Sequence, residues 1–421
     1  MNWVAAPLSS AAPVVASDKK FDADADVWHL SLDQIESGTG EVLFKQCAPM
    51  SKAGTSTFVF DEGNVLYSKL RPYLNKVVIP DEAGVATTEL VPLRPNPTVL
   101  DRCYLAYYLR APRFVAEASQ RVAGAKMPRV SMDWLRAHEI PLPPPSEQRR
   151  IVEILNQADA LRKRTREADA KAARILPALF LKMFGDPATN PMGWPIHPLR
   201  KAIAAIDPGW SAPSEARTRA AHEFGVLKVS AVTSGTFLPS EHKAVTTDVD
   251  GRALIAPRKG DLLFSRANTR ELVAATCIVE HDEPMLFLSD KLWRITPDKQ
   301  EADGLFLKML LTNEFVRDQI RSRASGSSGS MLNVSQNAVL RTEVTLPPIT
   351  KQKPFSENAR RVLSILRSSE EPARRVEAIW HLLMNRAFSG QLTAKWREAH
   401  MQELLAEMQK QACLLSRPAP N

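Results

Sequence analysis

Residues 141–184 read PLPPPSEQRRIVEILNQADALRKRTREADAKAARILPALFLKMF, and this stretch decides the architecture of the chain. Prolines stop a short apolar strand that ends at Leu142, and helix-forming residues follow them. Apolar residues then recur at alternating spacings of three and four, which is typical of a helix that packs along another helix. These positions are Ile151, Ile154, Ala158, Leu161, Thr165, Ala168, Ala172, Ile175 and Leu179. The stretch predicts a helix over residues 146–185 that has Ser146 as its N-cap and a kink at Pro177.

A second copy of this stretch lies 204 residues further along the chain. Residues 142–184 align with residues 346–388 without a gap, so that Gln148 falls on Gln352. A long internal repeat of this kind indicates a duplicated structural unit. Asn358, Ser369 and Pro372 interrupt the pattern and predict that the second helix frays or breaks near residues 368–372.

The segments that precede the two helices repeat as well. Residues 63–69, GNVLYSK, align with residues 260–266, GDLLFSR. Turn residues bound short apolar runs in both segments, which is typical of strands. The predicted strands are Thr57–Phe60, Asn64–Ser68, Lys76–Ile79, Leu227–Val232, Asp261–Ser265 and Ala275–Val279. Helices are predicted over Tyr104–Leu109 and Leu305–Thr312.

The repeat predicts an α+β fold with a pseudo-two-fold internal repeat. Two tandem α/β domains would be separated and followed by long spacer helices that pack antiparallel, as in a coiled coil. The opposing spacer would fill the apolar seam of each helix. The predicted parts are the α/β domains over residues 1–145 and 186–348, the spacers over 146–185 and 349–395, and a helical tail over 396–421.

The composition is that of an ordinary globular protein. Of 421 residues, 44% are hydrophobic and 24% are charged, which excludes a mostly disordered chain. No run approaches the roughly 18 apolar residues that a membrane helix needs. The four cysteines form no C-x-x-C pair, so we expect reduced thiols and a cytoplasmic location.

The net charge of +8 is distributed unevenly. Residues 146–185 carry nine basic and five acidic residues, and residues 349–421 carry twelve and seven. The rest of the chain is close to neutral, so the excess lies in the helical segments. A basic protein of this kind predicts an acidic partner, and nucleic acid is the first candidate.

Motifs for catalysis are missing from the sequence. It contains no G-x-x-x-x-G-K-[ST] phosphate loop and no H-x-x-x-H or H-x-E metal pattern. Residues 190–194, NPMGW, are the nearest string to the acid-Pro-Pro-aromatic loop of adenine methyltransferases, and they lack the second proline. We therefore expect a binding protein without a catalytic or metal site.

Several strings together resemble one protein family, the specificity subunits of type I restriction–modification systems. The strings are PLPPPSEQRRIV (residues 141–152), FGDP (184–187), GDLLFSRANT (260–269) and RAFSGQL (386–392). The resemblance covers about residues 1–395. The second copy departs from the family at residues 351–354, KQKP, where the family usually has Glu-Gln.

The resemblance implies a non-catalytic subunit that binds double-stranded DNA. Each α/β domain would be a target recognition domain for one half of a bipartite site, and the spacers would dock two methyltransferase subunits. The cofactors implied belong to the partners: S-adenosylmethionine to the methyltransferase, and ATP and Mg to the restriction or translocase subunits. The implied setting is the cytoplasm of a prokaryote, without a membrane. A tandem-repeat protein–protein scaffold that does not bind DNA stays open, because the two α/β segments are neutral.

The candidate DNA contacts follow the shared strand and the Gly-rich segments. Arginine can read guanine and asparagine can read adenine, while phosphate contacts or solvated charges are the alternative for each residue. The candidates are Lys69, Arg71, Lys126, Arg129, Arg266, Asn268, Arg270, Ser327 and Ser328. The candidate partner contacts are basic residues that we expect on the outer faces of the first spacer. They are Arg149, Arg150, Arg162, Lys163, Arg164, Arg166 and Arg174.

Overall fold

The chain divides into two compact units. The structure is a computed structural model, and it describes residues 3–249, 251–326 and 331–415. Unit 1 comprises residues 1–166 and 371–421, and unit 2 comprises residues 167–370. Each unit therefore holds one α/β segment together with parts of the long helical segments.

Short strands build several small sheets in each unit. In unit 1 the strands are β1 (Val4–Pro7), β2 (Asp26–Leu30), β3 (Cys47–Pro49), β4 (Thr57–Phe60), β5 (Val65–Ser68), β6 (Val77–Val78), β7 (Gly84–Thr87), β8 (Leu90–Leu93), β9 (Val122–Ala123), β10 (Arg129–Val130) and β11 (Glu139–Leu142). In unit 2 they are β12 (Ile196–Pro198), β13 (Ile203–Pro208), β14 (Ser214–Glu215), β15 (Gly225–Leu227), β16 (His242–Val245), β17 (Leu262–Ser265), β18 (Ala267–Asn268), β19 (Thr276–Ile278), β20 (Leu286–Phe287), β21 (Leu292–Pro297), β22 (Leu332–Asn333) and β23 (Glu343–Thr345).

Most neighbouring strands in these sheets are antiparallel. The strand orders in unit 1 are β3-β2-β7-β4, β6-β5-β8, β1-β11 and β10-β9. Those in unit 2 are β13-β21-β17-β19, β14-β16-β15-β20, β12-β23 and β18-β22. The pairs β2–β7 and β15–β20 are parallel.

Helices accompany these sheets in both units. They are α1 (Leu8–Ala11), α2 (Arg102–Arg110), α3 (Pro112–Gln120), α4 (Met132–Ala137), α5 (Pro145–Ala173), α6 (Ile175–Phe184), α7 (Ser230–Thr233), α8 (Gly304–Thr312), α9 (Glu314–Arg321), α10 (Gln336–Leu340), α11 (Ile349–Phe388), α12 (Ala394–Ala399) and α13 (Met401–Leu415). The predicted strand Leu227–Val232 is wrong after its first residue: β15 ends at Leu227, and Ser230–Thr233 is helical.

The shared strand lies between two cores in each unit. In β5, Val65 and Tyr67 pack in the core that includes the helices, and Leu66 packs in a second core on the other side. In β17, Phe264 and Leu263 divide between two cores in the same way. Both faces of these strands are buried, which explains why the sequence shows an unbroken apolar run there instead of alternation.

A buried glutamine ties each long helix to its α/β segment. In unit 1 the Gln148 amide donates to the carbonyls of Val99 and Pro143, at 2.8 Å each. Its oxygen accepts the N–H of Asp101 at 2.8 Å. Gln352 makes the same three hydrogen bonds in unit 2. Its partners are Glu301, Pro347 and Asp303, at 2.8, 2.7 and 2.9 Å.

The end of a long helix closes the main core of each unit. In unit 2, Phe184 at the end of α6 packs against Phe306 and Phe355, with ring centroids 4.9 and 5.4 Å apart. In unit 1, Phe388 at the end of α11 packs against Tyr104 at 5.4 Å. The repeated sequence thus folds into repeated contacts, and each unit combines the start of one long helix with the end of the other.

The start of α5 differs from the prediction. The helix begins at Pro145, so Ser146 lies inside it and is not its N-cap. Proline is well suited to the first helical position, because an N–H there would have no partner within the helix. The Ser146 hydroxyl instead donates to Glu407 of α13 at 2.9 Å.

Only the first of the two predicted interruptions of the long helices is present. The chain turns at Arg174 between α5 and α6, because Pro177 has no N–H and its ring crowds the carbonyl of Ala173. The predicted break near residues 368–372 is wrong, since α11 continues through Pro372. Proline keeps a helical φ and removes one hydrogen bond, so the backbone can remain helical at Pro372.

The apolar seam of the long helices is filled only near their ends. Ile151 is buried, but Leu161 is 55% and Ile175 is 47% exposed. In α11, Ile365 is 68% and Ile379 is 53% exposed. The expectation that the opposing spacer fills the whole seam is therefore wrong for its middle part, because the cores of the two units take up only the end segments.

Candidate nucleic-acid interface

The four candidate cations of unit 1 lie together beyond the end of β5. They are Lys69, Arg71, Lys126 and Arg129. Val130 donates its N–H to the Lys69 carbonyl at 2.9 Å, and Arg71 donates its own to the Pro128 carbonyl at 2.7 Å. The Arg71 guanidinium reaches the carbonyl of Lys126 at 3.5 Å. The strand end and the β9–β10 hairpin thus form one surface, on which residues 121–127 are exposed.

Glu89 pairs with one of these cations. The Arg129 guanidinium donates to both oxygens of Glu89, at 2.7 to 3.1 Å. Hydrogen bonding to this carboxylate raises the pKa of Arg129 above its ordinary value, so the group stays charged. The pair is exposed to solvent, and exposed pairs are weak enough for a phosphate to replace the carboxylate.

In unit 2, Arg266 follows β17 as Lys69 follows β5. Val334 donates its N–H to the Arg266 carbonyl at 2.8 Å, the same bond that Val130 makes in unit 1. The guanidinium lies over the Trp293 ring, 5.6 Å from its centroid. Its Nε is buried and has no hydrogen-bond partner in the part of the chain that the structure describes. A guanidinium held on a ring in this way is suited to a planar acceptor such as a guanine edge.

Two further candidates of unit 2, Asn268 and Arg270, come shortly after Arg266 in the chain. Asn268 lies in β18, which pairs with β22, and its side-chain oxygen accepts the N–H of the next residue at 2.8 Å. Arg270 is exposed on the loop that follows. Arg317 and Arg321 of α9 anchor this loop by donating to the Glu271 carbonyl, at 3.0 and 2.9 Å. Ser327 and Ser328 lie outside the described residues.

Two residues of this surface were missed in the sequence. The carbonyl of Lys291 accepts the Arg266 N–H at 3.0 Å, in the place that Glu89 has in unit 1. Asn333 pairs with Ala267 of β18, as Arg129 pairs with Leu70, just after β5, in unit 1. Neither residue belongs to a local motif, since both reach the surface through strand pairing. Aligning the strands that flank β5 and β17 would have revealed them.

One basic residue of the first spacer does not lie where we expected it. Arg162 is mostly buried, donates to Glu377 of α11 at 2.8 Å and lies 5.1 Å from the Trp380 ring centroid. Its predicted place on an outer face is wrong, because α5 and α11 meet at this position inside unit 1. Arg150 pairs with Glu153 on the same helix, at 2.6 Å.

The remaining basic residues of the spacer differ in their partners. Lys163 pairs with Glu41 at 3.2 Å, and Arg166 lies 3.9 Å from Glu36. These two cations therefore hold α5 to the α/β part of unit 1. The exposed residues of the set without an ion pair in the described ranges are Arg149, Arg164 and Arg174.

Other kinds of site were also sought in the described parts of the chain. No helix there is both long and apolar enough to cross a bilayer. Across the same residues, no three or more His, Cys, Asp and Glu side chains come together as metal ligands would.

Comparison with known proteins gives a match in the first α/β segment. The family described as "Type I restriction modification DNA specificity domain" matches residues 50–171. This segment is similar to the DNA specificity domain of type I restriction–modification systems. The segment contains the strand β5, the β9–β10 hairpin and the four candidate cations of unit 1.

Curated relatives of the specificity domain are named as specificity subunits. The type I restriction enzyme EcoEI specificity subunit of Escherichia coli is 29% identical over 168 residues, which cover 39% of this chain and 28% of that protein. The MjaVIII specificity subunit of Methanocaldococcus jannaschii is 21% identical over 337 residues, or 74% of this chain and 75% of that protein. The resemblance seen in the motifs is confirmed, although the chain spans less than a third of the length of the Escherichia coli protein.

A solved structure shares the fold. The crystal structure of the type I restriction–modification S subunit from M. genitalium superposes with a TM-score of 0.54 at 13% identity, over 92% of this chain and 96% of that one. The mixed helix and strand architecture predicted from the sequence is therefore confirmed, and this solved structure shares it.

Proposed function

We propose that this chain is the non-catalytic DNA specificity subunit of a type I restriction–modification complex. The observation that carries the proposal is the repeated cluster of polar and basic residues beyond the shared strand, around Lys69 in unit 1 and Arg266 in unit 2. In both units the same backbone bond, to Val130 or Val334, joins this strand end to a second chain segment. The side chains around the two bonds differ, which suits a bipartite target with two different half-sites.

Within the clusters we assign two kinds of contact. Lys69, Arg266 and Asn268 read base edges, because a lysine or a guanidinium fork fits guanine and a side-chain amide fits adenine. Lys126 and Arg270 are exposed on loops and contact phosphates, which fixes the position of the protein on the duplex. Arg129 exchanges its partner Glu89 for a phosphate when DNA binds.

We further propose that residues 1–145 and 186–348 act as the two target recognition domains. The spacers, residues 146–185 and 349–395, then set the distance between half-sites. Helices α5 and α6 together cover residues 145–184, which is about 60 Å of helix at roughly 1.5 Å per residue. One turn of DNA is about 34–36 Å, so a spacer of this length can serve two half-sites in successive grooves.

The middle of the long helices is proposed to dock two methyltransferase subunits, which carry S-adenosylmethionine. Leu161, Ile365 and Ile379 expose apolar side chains on these helices. Arg164 and, nearer the start of α5, Arg149 expose charges without an ion pair among the described residues. Exposed apolar side chains with charges around them are typical of a partner surface. Restriction subunits, which use ATP and Mg, join the complex so formed.

Charge reversal tests this docking surface. We expect Arg149→Glu with Arg164→Glu to weaken association with the methyltransferase about tenfold, because both charges lie at the rim of the contact. Size-exclusion chromatography over a concentration series measures the association. An unchanged elution profile of the mixed subunits contradicts the assignment, and circular dichroism of the variant alone checks its fold.

Duplex binding at several salt concentrations tests the proposed function itself. Fluorescence anisotropy with labelled random-sequence duplexes measures the association constant. Its logarithm should fall linearly with the logarithm of the salt concentration, with a slope of about 0.9 for each phosphate contacted. Lys126→Ala should reduce this slope by about one phosphate contact, and Lys243→Ala, an exposed lysine of β16, should leave it unchanged. Binding that is absent or insensitive to salt would instead support the protein–protein scaffold.

A further inference from the structure

The C-terminal helices cover the start of α5 in unit 1. The carboxylate of Glu147 is fully buried and accepts from Trp3 at 3.0 Å, from Thr393 at 2.6 Å and from Arg397 at 2.7 to 2.8 Å. Glu407 of α13 accepts both the N–H and the hydroxyl of Ser146. The tail after α11 is therefore a docked element of unit 1.

The same tail reaches the buried glutamine of unit 1. The Gln411 amide of α13 donates to the carbonyls of Val99 and Pro143, at 2.9 and 3.1 Å. These are the two carbonyls that Gln148 also uses. Each carbonyl has two lone pairs, and in unit 1 a docked helix provides the second donor.

The equivalent face of unit 2 is uncovered. Pro144 and Glu147 are buried in unit 1, whereas Pro348 and Lys351, 204 residues later, are exposed. The carbonyls of Glu301 and Pro347 accept from Gln352 alone within the described ranges. We call Pro348, Thr350, Lys351 and Lys353 the helix-start face; all four side chains are exposed.

A groove of about 640 Å³ adjoins this face inside unit 2. Its apolar walls include Ile278, Leu305 and Leu363. Five basic and two acidic side chains line it, and both acids are already paired: Glu280 with Arg367 at 2.6 Å, and Asp303 with Arg360 at 3.3 Å. The cations left without an ion pair in the described residues are Lys259, Lys299 and Lys353. The groove is therefore apolar at its walls and positive at its rim.

The groove does not belong to the proposed DNA surface. Lys259 and Gly260 precede β17, whereas Arg266 follows it, so the two surfaces lie at opposite ends of one strand. Phosphate contacts need no apolar walls, while an amphipathic helix does.

We propose that the helix-start face and its groove bind an acidic amphipathic helix of a partner protein. The docked tail of unit 1 shows which kind of element this repeated site accepts, and the lysines in unit 2 select an acidic one. The tail of a second copy is a poorer occupant, because its own unit 1 already holds it. The inference goes beyond DNA reading and rests on the proposed function only in that the chain works inside a complex.

A peptide with the sequence of α13, changed at one position, tests this inference on the full chain. The probe is a labelled synthetic peptide of residues 401–415 in which Lys410 is replaced by Glu, used under reducing conditions with fluorescence anisotropy. We expect saturable binding at one site that Lys351→Glu with Lys353→Glu weakens at least about tenfold. The charge-matched control, Lys243→Glu with Arg341→Glu, should bind as the wild type does. A probe with Glu403→Lys and Glu407→Lys should not bind.

Three results would overturn the proposal. The first is no binding of the acidic probe to the wild type. The second is equal binding of the probe to the wild type and to the Lys351/Lys353 variant, because the probe would then bind elsewhere, for instance by replacing the docked tail of unit 1. The third is a loss of duplex binding by that variant, which would make the lysines a phosphate surface. Normal duplex binding together with lost peptide binding supports the proposal and leaves DNA reading intact.

Discussion

Gln148 and Gln352 occupy equivalent positions and make the same three types of hydrogen bond, yet the donors around them differ. In unit 1 the Gln411 amide shares both carbonyl partners, and in unit 2 no second donor reaches them within the described residues. Removing the only protein donor of a carbonyl costs more free energy than removing one of two donors. The two glutamines should therefore differ in their contribution to stability.

We expect Gln352→Ala to destabilise unit 2 by about 1–2 kcal/mol more than Gln148→Ala destabilises unit 1. Hydrogen exchange of α8 and α2, followed as urea is raised, measures the two units separately. Adding Gln411→Ala to Gln148→Ala should remove most of the difference. Equal effects of the two single substitutions would show that Gln411 does not compensate.

At the same scale, the candidate site was predictable where residues follow one another in the chain. Lys69, Arg71 and Arg266 were found because they directly follow a recognisable strand. Three other features could not be predicted, because strand pairing or helix packing creates them between residues that are distant in the sequence. They are the ion pair of Arg129 with Glu89, the position of Lys291 and the burial of Arg162. Such contacts cannot be predicted from a local sequence pattern.

Among the elements, the long helices show how a proline acts differently in two contexts. Pro177 ends α5 four residues earlier, at Ala173, whereas α11 passes Pro372 without interruption. The heptad pattern predicted the existence and approximate extent of both helices. It could not predict which proline would break one, since a proline keeps a helical φ while it removes a hydrogen bond.

Lengthening the helices tests their proposed role as spacers. Four residues inserted after Ala168 lengthen the helix by about 6 Å and rotate its far end by about 400° about the helix axis. The apolar seam is then only about 40° out of phase. Since α11 also runs from one unit into the other, a matching insertion after Pro372 avoids strain. Competition among duplexes with different gaps should then favour a gap longer by one or two base pairs, at about 3.4 Å each, with the same half-site sequences. An unchanged preferred gap would contradict the spacer role.

For the whole molecule, the duplication determined what could be predicted. The order of α/β and helical segments follows directly from the 204-residue alignment, and the comparisons agree with the family that the motifs indicated. The division into units did not follow from it. Each unit takes the start of one long helix and the end of the other, so the compact bodies, residues 1–166 with 371–421 and residues 167–370, cross the sequence segments. A linear pattern cannot show such an exchange.

Methylome sequencing of cells that express this chain with its methyltransferase tests the central claim, that the two units read two halves of one DNA target. The wild type should yield one motif of two short half-sites separated by a fixed gap. Arg266→Ala should relax one half-site and Lys69→Ala the other, because each good base contact gives about 1–3 kcal/mol of discrimination. A contiguous motif, or substitutions in both units that change the same half-site, would contradict the claim.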